Sequence, residues 1–191
     1  MSPGEFREQF REQLVQLDLS QRPEEVDFRR AMVELLESEV DCFSRHCFPA
    51  HFTGSALVVS ADGREALLNH HRKLGRWMQF GGHCDSGESV LAAAQREACE
   101  ESGLGGLILA SARPFDLDIH RIPARADQPE HWHYDVRYVL IAPEGAVAQP
   151  SEESVEVRWF TPEGMEALEL DSGSRRLLLK WRQLLARRAG H

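Results

Sequence analysis

Apolar positions follow a helical period in the first quarter of the chain. Four apolar side chains in residues 4–17 have helical spacing: Phe6, Phe10, Leu14 and Leu17. A second helix is predicted from Pro23, which fits a first helical turn, to about Ser44. We predict a helical hairpin over residues 1–48 and a main domain over residues 49–191. Three roles are open for the hairpin: capping the core, lining a pocket, or forming a homodimer contact.

Beyond residue 49 the pattern changes to short strands separated by turns. Strands are predicted over residues 53–60, 65–71, 77–82, 107–122, 131–143 and 154–160. Helices are predicted between and after them, over residues 87–102, from Pro162 after a Thr161 N-cap, and over residues 173–188. Several connections between neighbouring strands are too short for a parallel crossover. The pattern indicates an α/β fold with a mixed sheet between helical layers.

Composition narrows the class of protein. The 191 residues are 42% hydrophobic, with a formal net charge of −9. This size suits one domain with an added helical segment, and the acidic balance argues against DNA or a membrane surface as partner. The charged first residues do not resemble a signal peptide. The four cysteines form no CxxC pair, so we expect reduced thiols and a cytoplasmic location.

The segment GGHCDSGESVLAAAQREACEESGL, residues 81–104, concentrates negative charge on one predicted helix. Glu97, Glu100 and Glu101 fall at i, i+3 and i+4, so their carboxylates share a face and repel one another. A divalent cation would remove this penalty, and Mg²⁺ prefers hard oxygen ligands and often bridges to substrate phosphates. The alternative is a solvated acidic helix face.

Other residues of this segment fit a metal site. Gly81 and Gly82 allow close backbone approach, which would let a carbonyl reach the metal. Arg96 is placed to hold one carboxylate by a bidentate contact. Glu88 is placed to pair with Arg96 across the start of the helix. These residues would support the ligands and position them.

Counted from Gly82, the spacing is Gly-x5-Glu-x7-Arg-Glu-Ala-x-Glu-Glu-x-Gly-Leu. This pattern resembles an intact Nudix box, the signature of the Nudix hydrolase superfamily. Its strict positions are matched by Gly82, Glu88, Arg96, Glu97, Glu100, Glu101 and Gly103. The flanking strand order extends the resemblance to roughly residues 50–188. It implies a Nudix-type α/β/α sandwich, with the N-terminal hairpin outside the resemblance.

The resemblance also implies a reaction. Nudix enzymes use divalent metal, here Mg²⁺ or Mn²⁺, to cleave the pyrophosphate bond of a nucleoside diphosphate linked to another moiety. It implies as metal ligands Glu97, Glu100, Glu101 and the carbonyl of Gly82, with Arg96 and Glu88 as supports. The general base would be Glu97 or a carboxylate from a distant loop. Glu152, Glu153 and Glu156 are the candidates there, and Glu153, just before the strand at 154–160, ranks first.

A basic segment beside the box is a candidate for binding the substrate. The sequence HHRKLGRW supplies three cations immediately before the glycines: Arg72, Lys73 and Arg76. Such cations suit the phosphates of a nucleotide. The alternative is an ordinary basic turn between two strands.

A polar strand face is the second candidate. His131, His133, Asp135 and Arg137 share one face of a strand, and Asp116, Asp118 and His120 alternate in the same way in the strand before it. If the two strands pair antiparallel, their polar faces lie side by side. The face is either a solvated outer surface or a cleft that contacts substrate or a second metal. A zinc site using His83 and Cys84 has no diagnostic spacing.

Two other functions fit the fold. A catalytically silent nucleotide-sensing module would have a damaged box or a basic DNA-binding region, whereas this box is intact. An isopentenyl-diphosphate-isomerase-like enzyme would need acid and base groups on both faces of a double bond, and Cys84 has no matching cysteine motif. Neither pattern nor resemblance selects a particular nucleotide, because Nudix specificity lies outside the box. The loop at 123–130 and the hairpin are where we expect it.

Overall fold

The computed structural model describes residues 3–20, 22–126 and 128–189. Asp127 of the predicted polar loop, and the outermost residues of the two predicted domains, lie outside these ranges. The helices are α1 (Pro3–Val15), α2 (Pro23–Ser38), α3 (Val90–Ser102), α4 (Pro162–Glu166) and α5 (Ser172–Ala189). The strands are β1 (Ala50–Val59), β2 (Ala66–His71), β3 (Arg76–Met78), β4 (Phe80–His83), β5 (Ile108–Leu109), β6 (Asp116–Ile122), β7 (His131–Ile141) and β8 (Ser154–Phe160).

The second helix is shorter than its periodicity predicts. It ends at Ser38 instead of Ser44, because the backbone of Glu39 is extended. The guanidinium of Arg7 donates to the carbonyls of Glu39 at 2.7 Å and Val40 at 2.9 Å. A side chain from α1 therefore satisfies carbonyls beyond the end of α2, where the helix would otherwise have continued.

Two of the predicted strands are divided in the structure. The segment at 77–82 forms β3 and β4, and the segment at 107–122 forms β5 and β6. In the second case Pro114 lies in the break, and proline has no N–H with which to continue a strand ladder. Apolar and polar alternation alone does not mark these interruptions.

The strands form a mixed sheet. The main path runs β3-β2-β1-β7-β5, and β4 pairs with β1, β6 with β7 and β8 with β2. The amide of Trp132 donates to Pro49 and that of Ala142 to Val59, each at 2.8 Å, so β1 and β7 run parallel at a constant offset. The pairs β1–β2, β2–β3, β2–β8, β5–β7 and β6–β7 are antiparallel.

The chain divides into two compact units. The first contains Met1–Ser55, Gly81–Ala94 and Ser111–Tyr138. The second contains Ala56–Phe80, Gln95–Ala110 and Val139–His191. In the described residues, no helix is both long and apolar enough to cross a bilayer, and all four cysteines are free thiols.

In the first unit, the hairpin covers β1 and β6. Phe10 of α1 meets Phe52 of β1 edge to face, with ring centroids 5.4 Å apart. Glu25 of α2 is buried, and its carboxylate accepts a hydrogen bond from the amide of Leu117 in β6 at 3.1 Å. Of the three roles left open by the sequence, these contacts support a capping role.

In the second unit, α5 supplies the largest buried side chain. The indole of Trp181 is almost fully buried and donates to the carbonyl of Gly63 at 3.0 Å, which satisfies its polar atom. The short helix α4 begins as predicted. Thr161 is its N-cap and accepts from the amide of Gly164 at 3.2 Å, and Pro162 occupies its first turn.

Gly54 permits a close approach of β1 to the start of α3 within the first unit. A Cβ at Gly54 would lie 2.0 Å from the carbonyl oxygen of Val90 and 2.9 Å from the amide nitrogen of Ala94. Because both obstacles are backbone, Gly54→Ala is expected to lower the free energy of unfolding by about 3 kcal/mol, at the upper end of overpacking costs. Urea unfolding followed by circular dichroism measures this.

Gly105→Ala is the matched control. A Cβ at Gly105 meets no atom within 4 Å, so its unfolding free energy should stay within about 0.5 kcal/mol of wild type. Equal unfolding midpoints for the Gly54 and Gly105 variants would show that β1 and α3 do not pack this closely.

Candidate active site

The segment before α3 is a turn that Glu88 holds in place. The carboxylate of Glu88 accepts a hydrogen bond from the amide of Asp85, and the amide of Glu88 donates to the carbonyl of Asp85, both at 2.9 Å. Ser89 then caps the helix by accepting from the amide of Ala92 at 3.0 Å. The helix therefore begins at Val90, three residues later than predicted. Glu88 lies outside it, as part of the turn that sets its start.

The other end of α3 is set by Gly103. Its φ of +67° is a left-handed conformation, and its amide donates to the carbonyl of Cys99 at 3.0 Å. Glycine at this position allows the chain to leave the helix without a Cβ penalty. The glycine at this strict position of the box is therefore explained by the end of the helix, without a role in catalysis.

Arg96 links two of the three glutamates. Its Nη1 donates to Glu97 at 2.9 Å and to Glu100 at 3.2 Å. The predicted contact was bidentate to one carboxylate, whereas these two bonds bridge two carboxylates. Their side chains are 19% and 61% exposed respectively, and Glu101, on the same helix, is buried. Arg96 therefore fixes an inner carboxylate and an outer one relative to each other.

The pKa of Glu97 is raised above its usual value. Burial is the largest cause, and the negative charges of Glu100 and Glu153 add to it, while Arg96 acts in the opposite direction. Glu97 is thus a partly desolvated carboxylate among like charges. Carboxylate oxygens in this arrangement suit a hard divalent cation, which would favour the ionised form.

Arg72 fixes the loop that carries the candidate bases. Its guanidinium donates to the carbonyls of Glu152 at 3.1 Å and Ser154 at 2.7 Å, and its amide donates to the carbonyl of Glu153 at 2.8 Å. Arg76 forms an ion pair with Asp171 at 3.4 Å. Two of the three predicted phosphate-binding cations therefore contact protein groups, and Lys73 is exposed.

The polar faces of β6 and β7 lie side by side. Their antiparallel register pairs Asp116 with Arg137, Asp118 with Asp135 and His120 with His133. The interpretation of this face as a solvated outer surface is wrong, because the three aspartates and Arg137 are buried. A periodicity of two shows only that one side is polar, not that this side faces water.

Arg137 neutralises much of this buried charge. Its guanidinium donates to Asp135 at 2.8 Å, Asp118 at 2.9 Å and Asp116 at 3.2 Å. Burial by itself would lower the pKa of Arg137, but the charges of the three aspartates outweigh it and raise the pKa. Two β1 hydroxyls also donate to Asp135, from Thr53 at 3.0 Å and Ser55 at 2.7 Å.

Histidine rings continue this face in the first unit. The rings of His131 and His133 pack against His51 of β1, with centroids 5.0 and 4.9 Å away, and His83 lies 4.9 Å from His133. Burial lowers the pKa of His133 to about 2 and of His83 to about 4, and it also lowers the pKa of His51.

His51 is a residue that sequence reasoning missed. The predicted strand began at Thr53, whereas β1 begins at Ala50. The available signal was the alternation of polar and apolar positions, because His51, Thr53 and Ser55 share one face of β1.

The two adjacent glycines, Gly81 and Gly82, lie in β4. Gly81 allows β4 to approach β1 closely, since a Cβ at Gly81 would lie 2.2 Å from the hydroxyl oxygen of Ser55.

Comparison with known structures shows the fold class. An Ap4A hydrolase from C. elegans in a binary complex has a TM-score of 0.58 at 20% identity, covering 71% of this chain and 97% of that one. A NUDIX-family hydrolase from Clostridium perfringens has a TM-score of 0.53 at 20% identity, with 70% and 97% covered. The E. coli dihydroneopterin triphosphate pyrophosphohydrolase has a TM-score of 0.52 at 16% identity, with 66% and 91% covered. The predicted Nudix-type α/β/α sandwich is confirmed.

A family model matches most of the chain. Residues 49–181 match the family described as NUDIX domain. The chain therefore belongs to the Nudix hydrolase superfamily, and its enzyme class is that of a Nudix pyrophosphohydrolase.

Proposed function

We propose that this chain uses Mg²⁺, or Mn²⁺ in its place, to hydrolyse the pyrophosphate bond of a nucleoside diphosphate linked to another moiety. The observation that carries the proposal is the arrangement on α3, where Arg96 holds Glu97 and Glu100 in the helix that bears the box. Three carboxylates on one helix turn supply the hard oxygens that Mg²⁺ requires.

The residues present fit such a metal. Glu97, Glu100 and Glu101 would hold it through their carboxylates, and the resemblance adds the carbonyl of Gly82. The raised pKa of Glu97 supports this assignment. The ionised form of a partly buried carboxylate among negative neighbours is disfavoured, and a bound cation would stabilise it. A bound Mg²⁺ would offset the charge that develops on the phosphoryl oxygens.

The chain's own residues then position the reaction. Water attacks phosphorus, its proton passes to a carboxylate, and the bond from phosphorus to the bridging oxygen breaks. We assign the proton acceptor to Glu153, with Glu97 as the alternative. The effect of the Glu153 charge on Glu97, and the bonds by which Arg72 holds the loop, support this choice.

We assign roles in substrate recognition from the contacts and charge of each candidate side chain. Lys73 would contact phosphate, while Arg72 and Arg76 act through the protein groups that they hold. Of the three predicted substrate contacts on β7, Asp135 is buried and hydrogen-bonded, which gives it a supporting role. His131 and His133 remain proposed substrate contacts. The named activities of the C. elegans and E. coli proteins indicate which compounds to test, since both names describe phosphate-anhydride substrates.

Chromatographic detection of the two phosphorylated products, from a panel of nucleoside diphosphate derivatives, tests this function. The panel includes dinucleoside polyphosphates, nucleoside triphosphates, nucleotide sugars and coenzyme A derivatives. We expect turnover of at least one member with Mg²⁺, its loss in EDTA, and its recovery when Mg²⁺ exceeds EDTA. No turnover together with tight binding of one member would instead indicate a nucleotide-sensing module.

The same assay, run on the best substrate, separates the candidate bases. Glu153→Gln should lower kcat by about 100-fold with KM little changed, because the amide cannot accept the proton. Its neighbour Glu152, also exposed, is another candidate in this loop, and Glu152→Gln should keep wild-type kcat if Glu153 is the base. Glu144→Gln, in a different loop, is the control for loss of an exposed carboxylate. Retention of kcat in Glu153→Gln would transfer the role to Glu97.

A further inference from the structure

A cluster of histidines in the first unit has a geometry that the pyrophosphatase reaction does not explain. Ligand nitrogens of His51, His131 and His133 all lie within 4.8 Å of one another. Two of these side chains are buried and the third is partly buried. Phe48 covers them edge-on, with centroids 6.3 Å from His51 and 5.4 Å from His131.

Backbone carbonyls fix which nitrogen of two rings is available. The Nδ1 atom of His51 lies 3.0 Å from the carbonyl of Cys47, and that of His131 lies 2.8 Å from the carbonyl of Pro129. A carbonyl only accepts, so each Nδ1 carries the proton and donates it. In both rings the Nε2 atom therefore presents a lone pair.

The lone pair of His51 has no hydrogen-bond partner among the residues that the structure describes. Its Nε2 atom is buried, in a side chain that is fully buried. A buried acceptor left unsatisfied costs about 1–3 kcal/mol, so such atoms call for an explanation. A cation shared by the three rings would satisfy this atom.

The spacing of the other two nitrogens fits a tetrahedral ion. The Nε2 atoms of His131 and His133 are 3.3 Å apart. Zinc–nitrogen bonds of about 2.0–2.1 Å at a tetrahedral angle place two ligand nitrogens about 3.3 Å apart. The nitrogen of His51 then needs to approach by no more than about 1.5 Å to complete the same geometry.

We propose that His51, His131 and His133 bind a zinc ion through their Nε2 atoms, at a site that shares no residue with the proposed Mg²⁺ ligands. Imidazole is a borderline ligand that suits zinc, whereas Mg²⁺ favours oxygen. The carbonyls of Cys47 and Pro129 orient two of the rings, which is the usual outer support of zinc histidines. Three protein ligands leave a fourth position for water or substrate.

Zinc binding to the full-length protein tests this site without reference to turnover. Protein stripped by a chelator and dialysed into excess Mg²⁺ is titrated with Zn²⁺ by calorimetry, and with Co²⁺ by visible spectroscopy. We expect one Zn²⁺ per chain and the intense visible bands of tetrahedral Co²⁺, displaced by Zn²⁺. Failure of the wild-type protein to bind Zn²⁺ at micromolar concentration would overturn the proposal.

Four variants locate the ion. His51→Gln and His133→Gln should each weaken Zn²⁺ binding by about 100-fold or more, exceeding the 10–100-fold effect of an outer-shell change. His46→Gln removes an exposed histidine and Glu100→Gln removes a proposed Mg²⁺ ligand, so both should bind Zn²⁺ as wild type does. Circular dichroism shows whether each variant is folded. If a variant of the cluster is not folded, the Co²⁺ spectrum of the wild-type protein tests the site instead. Binding retained in both cluster variants, or lost only in Glu100→Gln, would overturn the proposal.

Discussion

Glu100→Gln is expected to lower kcat by about 100- to 1,000-fold, equivalent to about 3–4 kcal/mol of transition-state stabilisation. The amide keeps the shape of the side chain but removes the anionic oxygen that would hold the metal. It also replaces the charged partner of Arg96 at 3.2 Å. Because the side chain is 61% exposed, the melting temperature should hardly change. Steady-state kinetics on the best panel substrate, with thermal unfolding of the same samples, measures both quantities.

Glu144→Gln is the control for removing an exposed negative charge, since Glu144 lies in a loop outside the box. It should retain wild-type kcat. Raising the Mg²⁺ concentration should recover part of the loss in Glu100→Gln if the residue is a ligand. A Glu100→Gln enzyme with wild-type kcat at ordinary Mg²⁺ would remove Glu100 from the proposed metal site.

Arg137→Met is expected to lower the free energy of unfolding by about 3–5 kcal/mol, because it leaves buried aspartates without their cation. Asp116, Asp118 and Asp135 all bond to this one guanidinium. The methionine fills a similar volume, so the loss reflects charge and hydrogen bonding more than an empty space. Equilibrium unfolding in urea measures it.

The exposed ion pair between Arg30 and Asp27 is the control for Arg137→Met. Their atoms are 2.7 Å apart, but the side chains are 69% and 68% exposed. Arg30→Met should therefore change the unfolding free energy by less than about 1 kcal/mol. Similar losses in the Arg30 and Arg137 variants would show that the three aspartates do not depend on Arg137.

The fold and α3 were predictable because their signals are local. Spacing within 23 residues fixes the box, and a helix places Glu97, Glu100 and Glu101 together whatever surrounds it. The mixed sheet also follows from the short connections between neighbouring strands. These expectations about class and fold are confirmed, whereas the roles of individual residues remain predictions.

The environment of the polar strand face was not predictable, because it depends on β1, which is distant in sequence from β6 and β7. Asp135 can be buried because Thr53 and Ser55 donate to it and Arg137 neutralises it. No pattern within β7 carries that information. His51 was missed for a related reason, since its relevance appears only when β1 lies beside β7.

The bond between Glu25 and Leu117 bears on how the protein avoids aggregation. β6 pairs with β7, and the amide of Leu117 donates to a side chain of α2 instead of to another strand. A strand edge left uncovered is a template for pairing with other chains. By placing a carboxyl group on that amide, the N-terminal hairpin covers this part of β6 and removes one attachment point for a foreign strand.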